Sequence, residues 1–229
     1  MNVIEISPEI DQLTRFGLVN CFLVREDDGL TLVDTMIGGS ARAILNVVHS
    51  LNRRLRRIAL THVHLDHVGS VDALARELTS IEVAVGSRES RLLVRDFHTE
   101  PSEPHVKPRG SFPKVETVPS VLLNDGESYG SLRVIASPGH TPGHIAFLDV
   151  RSGTLLAGDA LVTVGGLRIS GDASAIFPLL NWGTWHKPTA IASARSLLAL
   201  QPETIAVGHG KPVRKNAVQA LEKAIRHAE

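Results

Sequence analysis

Ile58-Ala59-Leu60-Thr61-His62-Val63-His64-Leu65-Asp66-His67 is the stretch from which the fold of this chain is read. Residues 57–61 form an apolar run of the kind that makes a buried strand. The run ends on His62, His64, Asp66 and His67, three imidazoles and a carboxylate within six residues. A helical pattern follows, predicted over 66–78. Functional groups project where a chain leaves a strand. On locally extended backbone His62 and His64 point the same way. Asp66 and His67, opening the helix, can face a neighbouring point. Imidazoles and a carboxylate so arranged are ligands of the kind that bind zinc. A single histidine here would be an ordinary hydrogen-bonded residue. Four ligand-type groups directly behind a buried strand have no explanation in packing.

Working outward, three more segments repeat the layout of apolar strand, ligand-type residue and glycine turn. Ile135-Ala136-Ser137-Pro138-Gly139-His140-Thr141-Pro142-Gly143-His144 offers His140. Leu155-Leu156-Ala157-Gly158-Asp159 offers Asp159, and Ile205-Ala206-Val207-Gly208-His209-Gly210 offers His209. Glycine lets the backbone turn sharply and leaves room beside it for an ion. Each segment alone would read as a capped loop; beside the first cluster they read as one site.

The pattern between these anchors predicts strands over 3–6, 12–14, 18–25 and 30–34, with a hairpin turn at Asp27-Asp28-Gly29. Ser40 is placed to cap a helix running to about Leu51. A strand over 81–85 and a helix over 87–93 follow the first cluster. Strands resume over 121–123, 132–137, 144–149 and 154–157. A helix over 189–200, a strand over 204–207 and a helix over 215–227 close the chain. Strands then helix, twice over, predict an α/β chain of two similar halves whose sheets pack together. A four-layer α/β/β/α sandwich in a single domain spanning 1–229 is the expected arrangement, although periodicity alone also allows other α/β arrangements. Two irregular stretches, 96–120 and 164–187, are too long for simple connections and are expected to shape a pocket. The second holds Trp185 and His186, candidates for substrate contact.

Composition narrows the function. Of 229 residues, 43% are hydrophobic and only 4% aromatic, so the core rests on aliphatic side chains. Lys+Arg and Asp+Glu both number 24, so no global field draws the chain to nucleic acid or an anionic membrane. Arg53, Arg54, Arg56 and Arg57 form the one basic run and read as a solvated helix end. Cys21, the single cysteine, excludes an intrachain disulfide and reads as a small core residue. The N-terminus lacks a basic and apolar leader, so a cytoplasmic protein with a small-molecule substrate is expected.

The motifs His62-Val63-His64-Leu65-Asp66-His67, His140, Gly158-Asp159 and Gly208-His209-Gly210 resemble those of the metallo-β-lactamase superfamily, in the same order. The resemblance implies the same sandwich fold and two cations, zinc first, with iron or manganese as alternatives. It implies one ion held by His62, His64 and His140 and another by Asp66, His67 and His209, with Asp159 bridging. His144 would then support the site from behind. Hydrolysis of an ester, thioester, lactone or related carbonyl by activated water is the implied chemistry, with Asp66 holding the nucleophile or its proton. Asp159 at the bridge resembles the glyoxalase II and lactonase branches. Val162, however, stands where quorum-sensing lactonases carry tyrosine. Alternatives within the superfamily are a persulfide dioxygenase with one iron on His62, His140 and Asp159, a β-lactam hydrolase and a nuclease.

Overall fold

Short apolar segments separated by turns fold the start of the chain into an antiparallel meander in the computed structural model, which describes residues 1–172 and 179–229. Its strands are β1 (Asn2–Ser7), β2 (Ile10–Arg15), β3 (Val19–Glu26) and β4 (Gly29–Val33). The expected hairpin closes β3 onto β4 through Asp27-Asp28, with Glu26 opposite Gly29. Parallel neighbours require crossovers, and helices supply them. After α1 (Ala41–Ser50) comes β5 (Leu55–Leu60), and after α2 (Leu65–Val68) and α3 (Val71–Glu77) comes β6 (Glu82–Gly86). After α4 (Ser90–Leu93) and a long strap comes β7 (Val121–Leu123), completing a seven-stranded sheet in sequence order.

The second half begins with β8 (Ser128–Tyr129), β9 (Leu132–Ala136), β10 (Ile145–Asp149) and β11 (Thr154–Leu156). A small ribbon of β12 (Leu161–Val162) and β13 (Arg168–Ile169) follows, then α5 (Leu179–Gly183) and α6 (Lys187–Ala199). Strand β14 (Thr204–Ala206) returns parallel to β11, and α7 (Ala217–Ala228) closes the chain. The order in this sheet is β14-β11-β10-β9-β8.

Strand periodicity sorts side chains into layers. In β3, Cys21 and Leu23 pack under the first helices, whereas Phe22 and Val24 face the second sheet. In β10, Phe147 and Ile145 meet them from the other side, while Ala146 packs with α6 and α7. Helices, sheet, sheet, helices: the four-layer α/β/β/α sandwich is the observed architecture. No helix among the described residues is long and apolar enough to cross a membrane.

Local differences have local causes. The helix expected over 66–78 is two helices, because Ser70 turns the chain between them. Its hydroxyl donates to Ile37 O at 2.7 Å and accepts from Ser40 N–H at 2.9 Å. Ser40 stands at the start of α1 but makes no side-chain cap; its hydroxyl accepts from Arg15 and donates to Ile37 O. The helix expected over 87–93 forms only over Ser90–Leu93. Strands β8, β12 and β13 and helix α5, all of five residues or fewer, were too short to show a period. Three of the four clustered arginines serve the β3–β4 hairpin. Arg57 pairs with Asp28, Arg56 donates to Asp28 O, and Arg53 donates to Glu26 O.

Candidate metal centre

Strand direction brings the ligand-type residues together. Strands β9 and β11 each pair antiparallel with β10, and β14 runs parallel to β11, so all three end at one edge. The loops leaving them carry His140, Asp159 and His209. In the other sheet β4 and β5 run parallel, so Asp34 and the His62–His67 segment also leave side by side. Backbone bonds across the sandwich, Ile145 N–H to Thr61 O at 3.0 Å and Asn20 N–H to Gly208 O at 2.9 Å, set the two edges face to face.

All seven residues expected to ligate converge in three overlapping triads. His62, His64 and His140 form one, His62, His67 and Asp159 another, and Asp66, His67 and His209 the third. Within each triad the potential ligand atoms lie within 4.8 Å of one another. His64 Nδ1 lies 2.9 Å from His140 Nε2. Asp159 reaches both sides: Oδ2 lies 3.5 Å from His140 Nε2 and 3.1 Å from His209 Nε2, and Oδ1 lies 3.4 Å from His67 Nε2. Asp66 Oδ2 lies 3.1 Å from His209 Nε2. Gly208 makes this closeness possible, since a Cβ there would sit 2.2 Å from Asp159 Oδ1.

Hydrogen bonds fix which nitrogen each ring presents. Asp34 Oδ1 accepts from Thr61 N–H, while Oδ2 accepts from the Thr61 hydroxyl and from His67 Nδ1–H, each at 2.8 Å. Having donated its proton, Thr61 Oγ1 accepts from His62 Nδ1–H at 3.0 Å. Ser170 Oγ lies 2.8 Å from His140 Nδ1, and Arg109 O accepts from His64 Nε2–H at 2.9 Å. Each ring therefore turns its remaining nitrogen inward. His62 Nε2, His67 Nε2 and Asp159 Oδ1 are buried without a hydrogen-bond partner. A buried ring nitrogen with no partner, as at His62 Nε2, is costly, and a cation beside it removes that cost. The donor set fits one or two divalent ions of the zinc type.

The charges divide the centre. Burial, reinforced by the neighbouring imidazoles, holds His62 and His140 well below the ordinary histidine range, and burial lowers His64 too. These rings are neutral. Burial opposes protonation of His67 and His209, but Asp159 outweighs it and lifts both, His209 to about 9. Burial likewise opposes ionisation of Asp159 and Asp66, and His209 with His67 overcomes it, holding both low.

A sequence profile described as the metallo-beta-lactamase superfamily matches residues 14–209, which include every ligand-type residue of this centre. The chain belongs to that superfamily. YobT of Bacillus subtilis (strain 168) is 44% identical over 93% of this chain and 94% of its own length. The hydroxyacylglutathione hydrolase GloC of Haemophilus influenzae is 28% identical over 88% of this chain and 90% of its own. Among solved structures, TTHA1623 in a di-iron-bound form superposes with a TM-score of 0.66 at 23% identity, covering 98% of each chain.

The superfamily motifs account for the ligand-type residues, not for what holds them. His144 lies beside the Asp159 loop: Nε2 accepts from Asp159 N–H at 3.1 Å and Nδ1 meets Ser137 Oγ at 2.9 Å. Burial pushes its pKa down to about 3. Trp185 and His186, expected to contact substrate, have partners within the protein. Trp185 is buried and donates Nε1–H to Val106 O at 2.6 Å, and His186 caps α6 by accepting from Thr189 N–H. The exposed indole of that segment is Trp182. Residues 173–178 of the second irregular stretch lie outside the described residues. Sequence reasoning missed Asp34, Ser170, Glu89 and Asn20. Only Asp34 carried a signal, since it ends an apolar strand just as Asp159 does.

Proposed function

We propose that this chain is a dinuclear metal-dependent hydrolase that cleaves a small-molecule thioester or related carbonyl ester. One ion would be held by His62, His64 and His140, the other by Asp66, His67 and His209, with Asp159 reaching both. Zinc ions bound there would polarise a carbonyl and bring the pKa of water from about 15.7 towards about 7. The convergence of seven ligand-type side chains in three overlapping triads, with buried His62 Nε2 left without a partner, carries this reading.

The protein's own groups support the division of labour. Asp66 is the open member of the set, its side chain 34% exposed against 6% for Asp159 and 4% for His209. It pairs with His209 through Oδ2 and can use Oδ1 to orient water or take its proton. Asp34, Thr61 and Ser170 orient the rings of His67, His62 and His140 so that the other nitrogen faces inward. The strap, through Arg109 O, does the same for His64. Thioesters come first among substrates because GloC, matched over 90% of its length, is a hydroxyacylglutathione hydrolase.

Metal analysis of the purified protein, with a panel of thioesters, p-nitrophenyl esters, lactones and nitrocefin, tests the reading. About two zinc ions per chain and chelator-sensitive thioester turnover are expected. Full turnover after chelation would refute it, and about one iron per chain would turn the reading towards a dioxygenase.

A further inference from the structure

Glu89 has no place in the ligand set, yet it is fully buried beside it. It stands just before α4, and its two oxygens reach the loops of different sheets. Oε1 accepts from Val63 N–H at 3.0 Å. Oε2 accepts from the Thr141 hydroxyl at 2.7 Å and from Gly143 N–H at 3.0 Å. Val63 lies between His62 and His64, and Thr141 follows His140. One carboxylate thus ties together the loops that present these three imidazoles.

The chemistry of the group matters as much as its position. Burying a carboxylate carries a large desolvation penalty, and burial drives Glu89 up to about 7. An apolar residue would fill the space at less cost but would leave three donors bare. An amide would accept on one arm and oppose Gly143 N–H with the other. Only an acceptor at both oxygens satisfies all three donors at this span.

The other triad has different supports. Asp34 holds His67. The His209 loop hangs on Asn20, whose side-chain amide donates to Val207 O and Gly210 O, each at 2.8 Å. Asp34 also reaches His62 through Thr61, but Glu89 touches only the loops at His62, His64 and His140.

We propose that Glu89 is a positioning residue that sets the affinity of the ion held by His62, His64 and His140, with much less effect on the other. The inference rests on the dinuclear reading above. The test is titration of metal-free protein with cobalt(II), following the absorption spectrum against a competing chelator, for the full chain and for Glu89→Gln. One ion should bind about ten- to hundredfold more weakly in the variant, with the other within about threefold. Should Glu89→Gln fail to fold, Thr141→Val, which removes one donor and leaves the carboxylate, should weaken the same ion selectively. Two ions bound with unchanged affinity would overturn the role of Glu89 and leave the dinuclear reading standing. Equal weakening of both would also overturn it, showing support of the fold alone. Unaltered protein that takes up no cobalt would instead remove the dinuclear reading itself.

Discussion

Asp34 shows how much one side chain can decide at the scale of a residue. Its backbone is left-handed, at φ 62°, and it is fully buried. Three donors converge on its two oxygens: Thr61 N–H, the Thr61 hydroxyl and His67 Nδ1–H. Two of those bonds fix the rings of His62 and His67, one directly and one through Thr61. Asp34→Asn keeps the shape but sets an N–H₂ against these donors. We expect about 2–3 kcal/mol lower stability in urea unfolding and about tenfold or weaker metal binding. A variant that unfolds and binds metal like the parent would show that Asp34 is only a strand-end residue.

The 96–120 strap is the element that sequence periodicity described least. Structure gives it fixed anchor points. Arg88 pairs with Glu103, Trp185 donates to Val106 O, and Asp72 accepts from Glu116 N–H and from Thr117 N–H and hydroxyl. Between these anchors it crosses the centre. Arg109 O accepts from His64 Nε2–H, Ser111 O accepts from Leu65 N–H, and the Phe112 ring lies 4.8 Å from that of His64. The crossing is close enough that Gly110, at φ +107°, would place a Cβ 2.1 Å from His64 Nε2. Gly110→Ala should therefore lift the strap or swing the ring. Expected results are about tenfold weaker metal binding and faster proteolysis within 96–120, with helices and sheets retained by circular dichroism. Unchanged metal affinity would mean that the strap merely lies over His64.

Across the whole molecule, the centre couples metal, protons and stability. In metal-free protein His209, raised to about 9, contributes stability that is complete below about pH 6.5 and is lost as pH rises through about 9. His67 acts in the same direction. The lowered histidines act oppositely. Stability from neutral His62, His64, His140 and His144 is present above about pH 6.5 and falls as they are forced to protonate, His144 through about 3. Asp66 and Asp159, held low, add to the loss in acid. Thermal unfolding of metal-free protein should thus be highest near pH 6.5 and fall on both sides. Zinc should raise the midpoint most on the alkaline side, where His67 and His209 are already deprotonated. At pH 7 its uptake should release about two protons, measurable by calorimetry in buffers of different ionisation enthalpy. A midpoint that climbs steadily from pH 7 to 9 without metal would contradict this assignment.

Sequence alone determined what depends on neighbours along the chain. The strand before His62, the alternation that sends Cys21 and Phe22 to opposite faces, and the ligand-type residues at strand ends are local patterns. Two strand-then-helix halves suggested the layering, but periodicity allows other α/β arrangements, and the packing of the two sheets on each other decided it. Tertiary structure alone decided what depends on distant segments meeting. Arg109 O on His64, Asn20 on the His209 loop and Glu89 between two sheets join residues 45 to 190 positions apart or link loops of separate sheets. It also gave Trp185 and His186 their partners within the protein. The physical reason is range. Periodicity and turn chemistry report on a few residues at a time, whereas the partner of a buried polar atom is set by which loops the packed sheets bring to one edge.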